Sequence, residues 1–125
     1  MTRARIDRPL SRQESDLLRW LLANGLSGAS EFLPQIELAR AHGKCSCGCP
    51  TVDISVPENA KVASHFDSVL ADFMGDVGGK DVGVLVFQRD GLLTGLEVYP
   101  MGNLEGPLGL PEPESLYPPK WVNQP

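Results

Sequence analysis

Leu17, Leu18, Leu21 and Leu22 recur at intervals of three and four residues, which gathers them on one face of a helix. Ser11 and Glu14 stand ahead of them in capping-box spacing, and Asn24-Gly25 follows, so the pattern predicts a helix from Arg12 to Asn24 with Trp20 at the margin of its apolar face. A second, shorter helical turn is expected from Ser27 to Leu33, with Phe32 and Leu33 as core contacts, because Pro34 disfavours helical geometry in the residue before it. Gln35 to His42 fits neither period and is read as extended.

The pattern then changes from a period near four to a period of two. From Thr51 to Val56 the residues Val52, Ile54 and Val56 alternate with Thr51, Asp53 and Ser55, which predicts a half-buried strand ended by Pro57. Cys47-Gly48-Cys49-Pro50 reads as the hairpin turn before it, since Gly supplies backbone freedom and Pro cannot donate to a ladder. Asn59 to Met74 fits a helix through Val62, Phe66, Val69, Leu70 and Phe73, while Val69 to Met74 fits a short strand equally well. Gly75, Gly78 and Gly79 suggest a connector, too sparse for a dinucleotide fingerprint. Val82 to Gln88 and Leu92 to Tyr99 flank Arg89-Asp90-Gly91, a strong hairpin signal. From Pro100 onward seven of twenty-six residues are proline, which predicts an irregular strap anchored by Leu110, Leu116, Tyr117 and Trp121. Residues 1–10 carry no apolar period and read as a frayed terminus.

These elements add up to one α+β domain over residues 1–125, with N-terminal helices packed on an antiparallel sheet of about four strands. The chain has 125 residues, enough to bury a core without disulfides or metal as staples. Its net charge is −5, unevenly distributed: residues 1–44 hold seven Arg/Lys against five Asp/Glu, and residues 45–125 hold four against eleven. Duplex nucleic acid is therefore excluded as an expected partner, because affinity for it rests on clustered positive charge. Asp7, Glu14 and Asp16 among the early arginines do not suit a transit peptide, and no apolar run approaches the ~20 residues that span a bilayer, so the expected location is the cytoplasm, away from membranes.

All three cysteines fall within five residues, Cys45, Cys47 and Cys49. Thiolates bind zinc tetrahedrally, and His42 or His65 could complete a Cys3His set. The spacing opposes this, because ligands one residue apart leave little chain to wrap the ion, and in a flat strand Cys45 and Cys49 would lie roughly 13 Å apart. A thiol redox role lacks the usual two-residue gap between cysteines, and Lys44 is the one adjacent cation. The remaining reading is that one or two of the cysteines are small buried apolar groups at a crowded hairpin. Asp53, Glu97 and Tyr99 are the other polar candidates, on strand faces turned to solvent or to the strap.

The segment Lys44-Cys45-Ser46-Cys47-Gly48-Cys49-Pro50-Thr51-Val52-Asp53, with Val84 to Gly91 and Leu96 to Tyr99, resembles a group of short, uncharacterised bacterial proteins over roughly residues 30–117. The resemblance implies a bacterial cytoplasmic protein and a shared fold, and it implies no catalytic or binding residue. No convergent acid, base and nucleophile set stands in the sequence, so the expected function is a non-enzymatic binding or accessory domain, of the kind an immunity protein represents, that meets a protein partner through an acidic sheet face without a cofactor. The alternatives are a zinc protein using Cys45, Cys47, Cys49 and His42, and a thiol redox protein.

Overall fold

The computed structural model describes residues 3–45, 50–64, 67–101 and 109–118, with only the backbone at residues 3, 4 and 45. Six strands form one antiparallel sheet: β1 Arg3–Pro9, β2 Arg40–Cys45, β3 Val52–Ser55, β4 Val69–Val77, β5 Lys80–Arg89 and β6 Leu92–Pro100. Their spatial order is β1-β2-β3-β6-β5-β4. One α-helix, α1 (Arg12–Ala23), and a long 3-10 helix (Ala29–Leu38) connect β1 to β2. The expected α+β arrangement with a four-stranded sheet is thus corrected to a six-stranded, predominantly antiparallel β architecture, the additional strands being β1 and β4.

Each departure has a physical reason. The segment Arg3–Pro9, read as frayed, is an edge strand that buries little, so it leaves no hydrophobic period. It is held by its ladder to β2, with Arg3 opposite Cys45 and Pro9 opposite Arg40, and by an Arg40–Asp7 ion pair at 2.7 Å. Val69–Val77 is a strand rather than a helix, and Gly75 lies inside it instead of in a connector. The turn after β4 uses only Gly78 and Gly79. The expected stop at Pro34 does not occur either, because a 3-10 helix continues through that residue to Leu38. At three residues per turn, Ala29, Phe32 and Gln35 align on one buried ridge.

The expected α1 forms with its capping box intact: Glu14 N–H donates to Ser11 Oγ (3.1 Å) and Ser11 N–H donates to Glu14 Oε1 (2.8 Å). Arg8 of β1 donates to both carboxylate oxygens of the buried Glu14, at 2.8 and 3.0 Å. Burial opposes ionisation of Glu14, but the Arg8 and Ser11 hydrogen bonds outweigh it and hold the carboxyl below its usual range. The leucine face of α1 packs with Phe32 and Ile36 against Val82, Val84 and Val86 of β5, Leu96 and Val98 of β6, and Val52 and Ile54 of β3. Asp90 and Gly91 close the β5–β6 hairpin with φ of 54° and 82°, the left-handed pair that a two-residue type I′ turn requires.

Buried side-chain amides complete the backbone hydrogen bonding where the sheet meets its loops. Gln35 donates to the carbonyls of Lys61 (3.0 Å) and Gly91 (2.8 Å) and accepts from Leu93 N–H (3.0 Å). Thr51 does similar work at the start of β3. In the β3–β6 register, position 50 falls opposite Val98, and Pro50 has no N–H to donate there. Thr51 Oγ1 instead accepts from Val98 N–H (2.9 Å) and donates to Val98 C=O (3.0 Å).

Gln35→Ala is expected to cost roughly 2 kcal/mol in chemical denaturation, since it leaves the buried Leu93 N–H without its acceptor and takes one donor from the Lys61 and Gly91 carbonyls, the latter keeping Ala63 N–H. Thr51→Val should cost about 1–2 kcal/mol, and Thr51→Ser should restore most of it. Because the folded Glu14 carboxyl titrates below its unfolded value, its contribution is present above about pH 4.3 and is lost as pH falls through the depressed folded value. Acid titration of unfolding stability should therefore be shallower in Glu14→Gln than in the natural chain.

Candidate interaction surface

Residues alternate across the sheet, and the described helices lie on only one of its faces. On the helix side lie Val82, Val84 and Val86; on the opposite side lie Gly83, Leu85 and Phe87. The register extends this second face sideways. Asp72 of β4, Leu85 of β5 and Glu97 of β6 form one cross-strand row; Met74, Gly83 and Tyr99 form the next; Phe87, Gly95 and Asp53 form a third. Leu85, Phe87, Asp72, Glu97, Tyr99 and Asp53 are all half-buried, and among the described residues no helix lies over them.

This face is relief rather than plane. A side chain at 83 would collide with the Tyr99 ring, and one at 43 would meet the Asp53 carboxylate, so glycine at each position lets its neighbour lie flat. At Gly95 the missing side chain leaves a hollow of about 250 Å³ between Asp53, Phe87 and Glu97. Asp76 and Asp81 stand directly opposite each other at the end of the β4–β5 hairpin, both exposed.

Burial raises the Asp72 carboxyl above its usual range. Burial first, then the negative charges of Asp72 and Glu97, push the Tyr99 hydroxyl up. Tyr99 therefore stays a neutral hydrogen-bond donor among carboxylates at physiological pH. Carboxylates alternating with Leu85, Phe87 and Tyr99 can hold a cationic and apolar surface; among the described residues of this face no nucleophile is paired with a base.

The second feature is the outer edge of β4. A cleft of about 610 Å³ opens there, walled by Trp20, Leu26, Phe73, Leu85 and Pro118 with Asp72 between them. Trp20 meets Phe73 edge to face, with centroids 5.0 Å apart and planes at 76°. Leu26 and Tyr117, at the two ends of this stretch of β4, are among the exposed large apolar side chains.

Of the residues singled out from sequence, Asp53, Glu97 and Tyr99 share the open face. Cys45 ends β2 and His42 is exposed within that strand, whereas Cys47, Cys49 and His65 lie outside the described residues, as does Trp121. No group of three metal-binding side chains occurs among the described residues, and no described helix is long and apolar enough to cross a membrane. Asp72, Leu85 and Phe87 are the face residues that sequence reasoning missed. Leu85 and Phe87 alternate with Val84 and Val86 in an all-apolar run, and Asp72 sat in a segment whose period was undecided. No protein-family model matches the chain, and no curated protein or solved structure does so either.

Asp72→Asn gives a check on the electrostatics of the face. A carboxyl whose folded value is raised stabilises below its unfolded value of about 3.9, and this contribution is lost as pH rises through the folded value. With Tyr99 neutral and Glu97 across the row, the substitution should raise the midpoint of thermal unfolding at pH 7 and give no advantage below about pH 3.5.

Proposed function

We propose that the protein is a non-enzymatic interaction domain that binds another protein through the open face of its sheet. The observation that carries this reading is the composition of that face: Asp53, Asp72 and Glu97 interleaved with half-buried Leu85, Phe87 and Tyr99, beside a glycine hollow. An apolar surface rimmed by charge suits a protein partner. The excess of carboxylates favours a basic one, by steering encounter and by fixing register. A bacterial accessory role, in which the domain occupies or escorts a basic protein, fits this surface.

Full-length protein immobilised in native-host lysate should capture a partner with a basic contact surface, and the capture should weaken as salt rises. The double substitution Phe87→Arg with Glu97→Lys, which leaves the helix-side core untouched, should reduce that capture at least tenfold while the circular dichroism spectrum is retained. A partner held equally well by the folded double variant would refute binding through this face.

A further inference from the structure

Every second residue of β4 turns its backbone N–H and C=O away from β5, toward the sheet edge. Most of these outward groups are met within the chain. Leu70 C=O accepts from Leu26 N–H (2.9 Å). Met74 exchanges two hydrogen bonds with Tyr117, at 2.8 and 2.9 Å, in an isolated antiparallel bridge. Asp76 N–H donates to Ser115 Oγ (3.3 Å). Asp72 lies between these capped positions, in unbroken register from Ala71 to Val77, so its N–H and C=O also point outward. Among the described residues neither group has a partner.

The gap opens into the cleft beside Trp20, Phe73 and Leu85, and the Asp72 carboxylate stands at its rim with Glu97 one strand beyond Leu85. A free amide and carbonyl of one edge residue are complementary to the carbonyl and amide of one residue in an extended chain, the pairing Tyr117 already makes two residues away. Proline at 118 and at 119 carries no N–H, so neither residue can donate to Asp72 C=O. From Leu70 to Met74 the edge spans roughly 13 Å, and with Leu26 and Tyr117 on its two ends the space between them admits one or two paired residues centred on Asp72.

We propose that this cleft receives a short extended segment of a protein partner: one residue pairs with the Asp72 backbone, a neighbouring apolar side chain enters beside Trp20 and Phe73, and a lysine or arginine meets Asp72 and Glu97. The inference rests on the interaction reading and gives the partner's form at one edge of the same surface.

Panning random twelve-residue peptides against the full-length protein tests it. Enriched peptides should carry a basic residue next to an apolar one and bind the natural chain at least tenfold more tightly than Asp72→Pro. That substitution removes the outward N–H without breaking the ladder to β5. Asp72→Ala, which keeps the N–H, should fall between the two and bind with a weaker salt dependence. If Asp72→Pro does not fold, Asp72→Lys serves instead, and the enriched sequences should change from basic to acidic. Peptides that ignore both substitutions, or an absence of enrichment, would overturn the proposal. So would peptide binding seen only in Trp121→Ala, which would assign the cleft to the chain's own C-terminal segment. Failure here, with lysate capture still lost in the Phe87→Arg, Glu97→Lys variant, overturns the edge site alone; failure of both removes the reading beneath it.

Discussion

The leucine face of α1 and the Ala29–Gln35 ridge cover one side of a six-stranded sheet, and that one-sidedness governs the rest of the molecule. Apolar burial on the helix side supplies the main driving force, through Leu17, Leu18, Leu21, Leu22 and Phe32 against the valines of β5. With α1 and the long 3-10 helix on that side and, among the described residues, no helix over the other, the opposite side of the sheet carries groups that suit water. Its strands accordingly carry Asp53, Asp72 and Glu97 among aromatic and aliphatic side chains, and glycines where a ring or carboxylate has to lie across a neighbour. A sheet built this way is stabilised through one face, and among the described residues no helix covers the other.

A sheet also has edges, and the two here are managed differently. At β1 the edge carries Arg5, Asp7, Arg8 and Pro9 and a break in register between Arg5 and Arg8, features that oppose unplanned strand pairing. Arg8 reaches from this edge to Glu14 and so fixes the start of α1 to the sheet. At β4 the edge is covered piecemeal by Leu26, Tyr117 and Ser115. Among the described residues the cover is interrupted at Asp72, where an apolar cleft and a half-buried carboxylate coincide. The sheet face opposite the helices and this stretch of edge share Asp72 and Leu85.

Buried polar side chains make this arrangement specific. Gln35 joins the 3-10 helix to the Gly91 turn and to the loop at Lys61, and Gln88 donates to Asp67 C=O (2.6 Å) while accepting from Gly91 N–H (2.9 Å). Each amide oxygen accepts from a buried backbone N–H, that of Leu93 for Gln35 and that of Gly91 for Gln88, which would cost more unpaired than the hydrogen bond returns. The turn of the β5–β6 hairpin is thereby held from two sides, which orients the strands bearing Phe87, Gly95 and Glu97.

Local chemistry legible in the sequence determined α1, its Ser11–Glu14 cap, the alternation of β3 and the Asp90-Gly91 hairpin, because spacing, capping and left-handed turn residues act over a few positions. It also placed Asp53, Glu97 and Tyr99 on strand faces. Tertiary structure decided what depended on distant partners. Strand β1 has no apolar period and exists through its ladder to β2 and the Arg8–Glu14 pair. The period of 69–74 was ambiguous until pairing with β5 made it a strand, and only that pairing brings Asp72 beside Leu85 and within reach of Glu97. The 3-10 helix passes Pro34 because its buried ridge at Ala29, Phe32 and Gln35 has contacts to satisfy that no local propensity encodes. Long-range hydrogen bonding and one-sided burial, not residue preference, set which face and which edge the described residues cover.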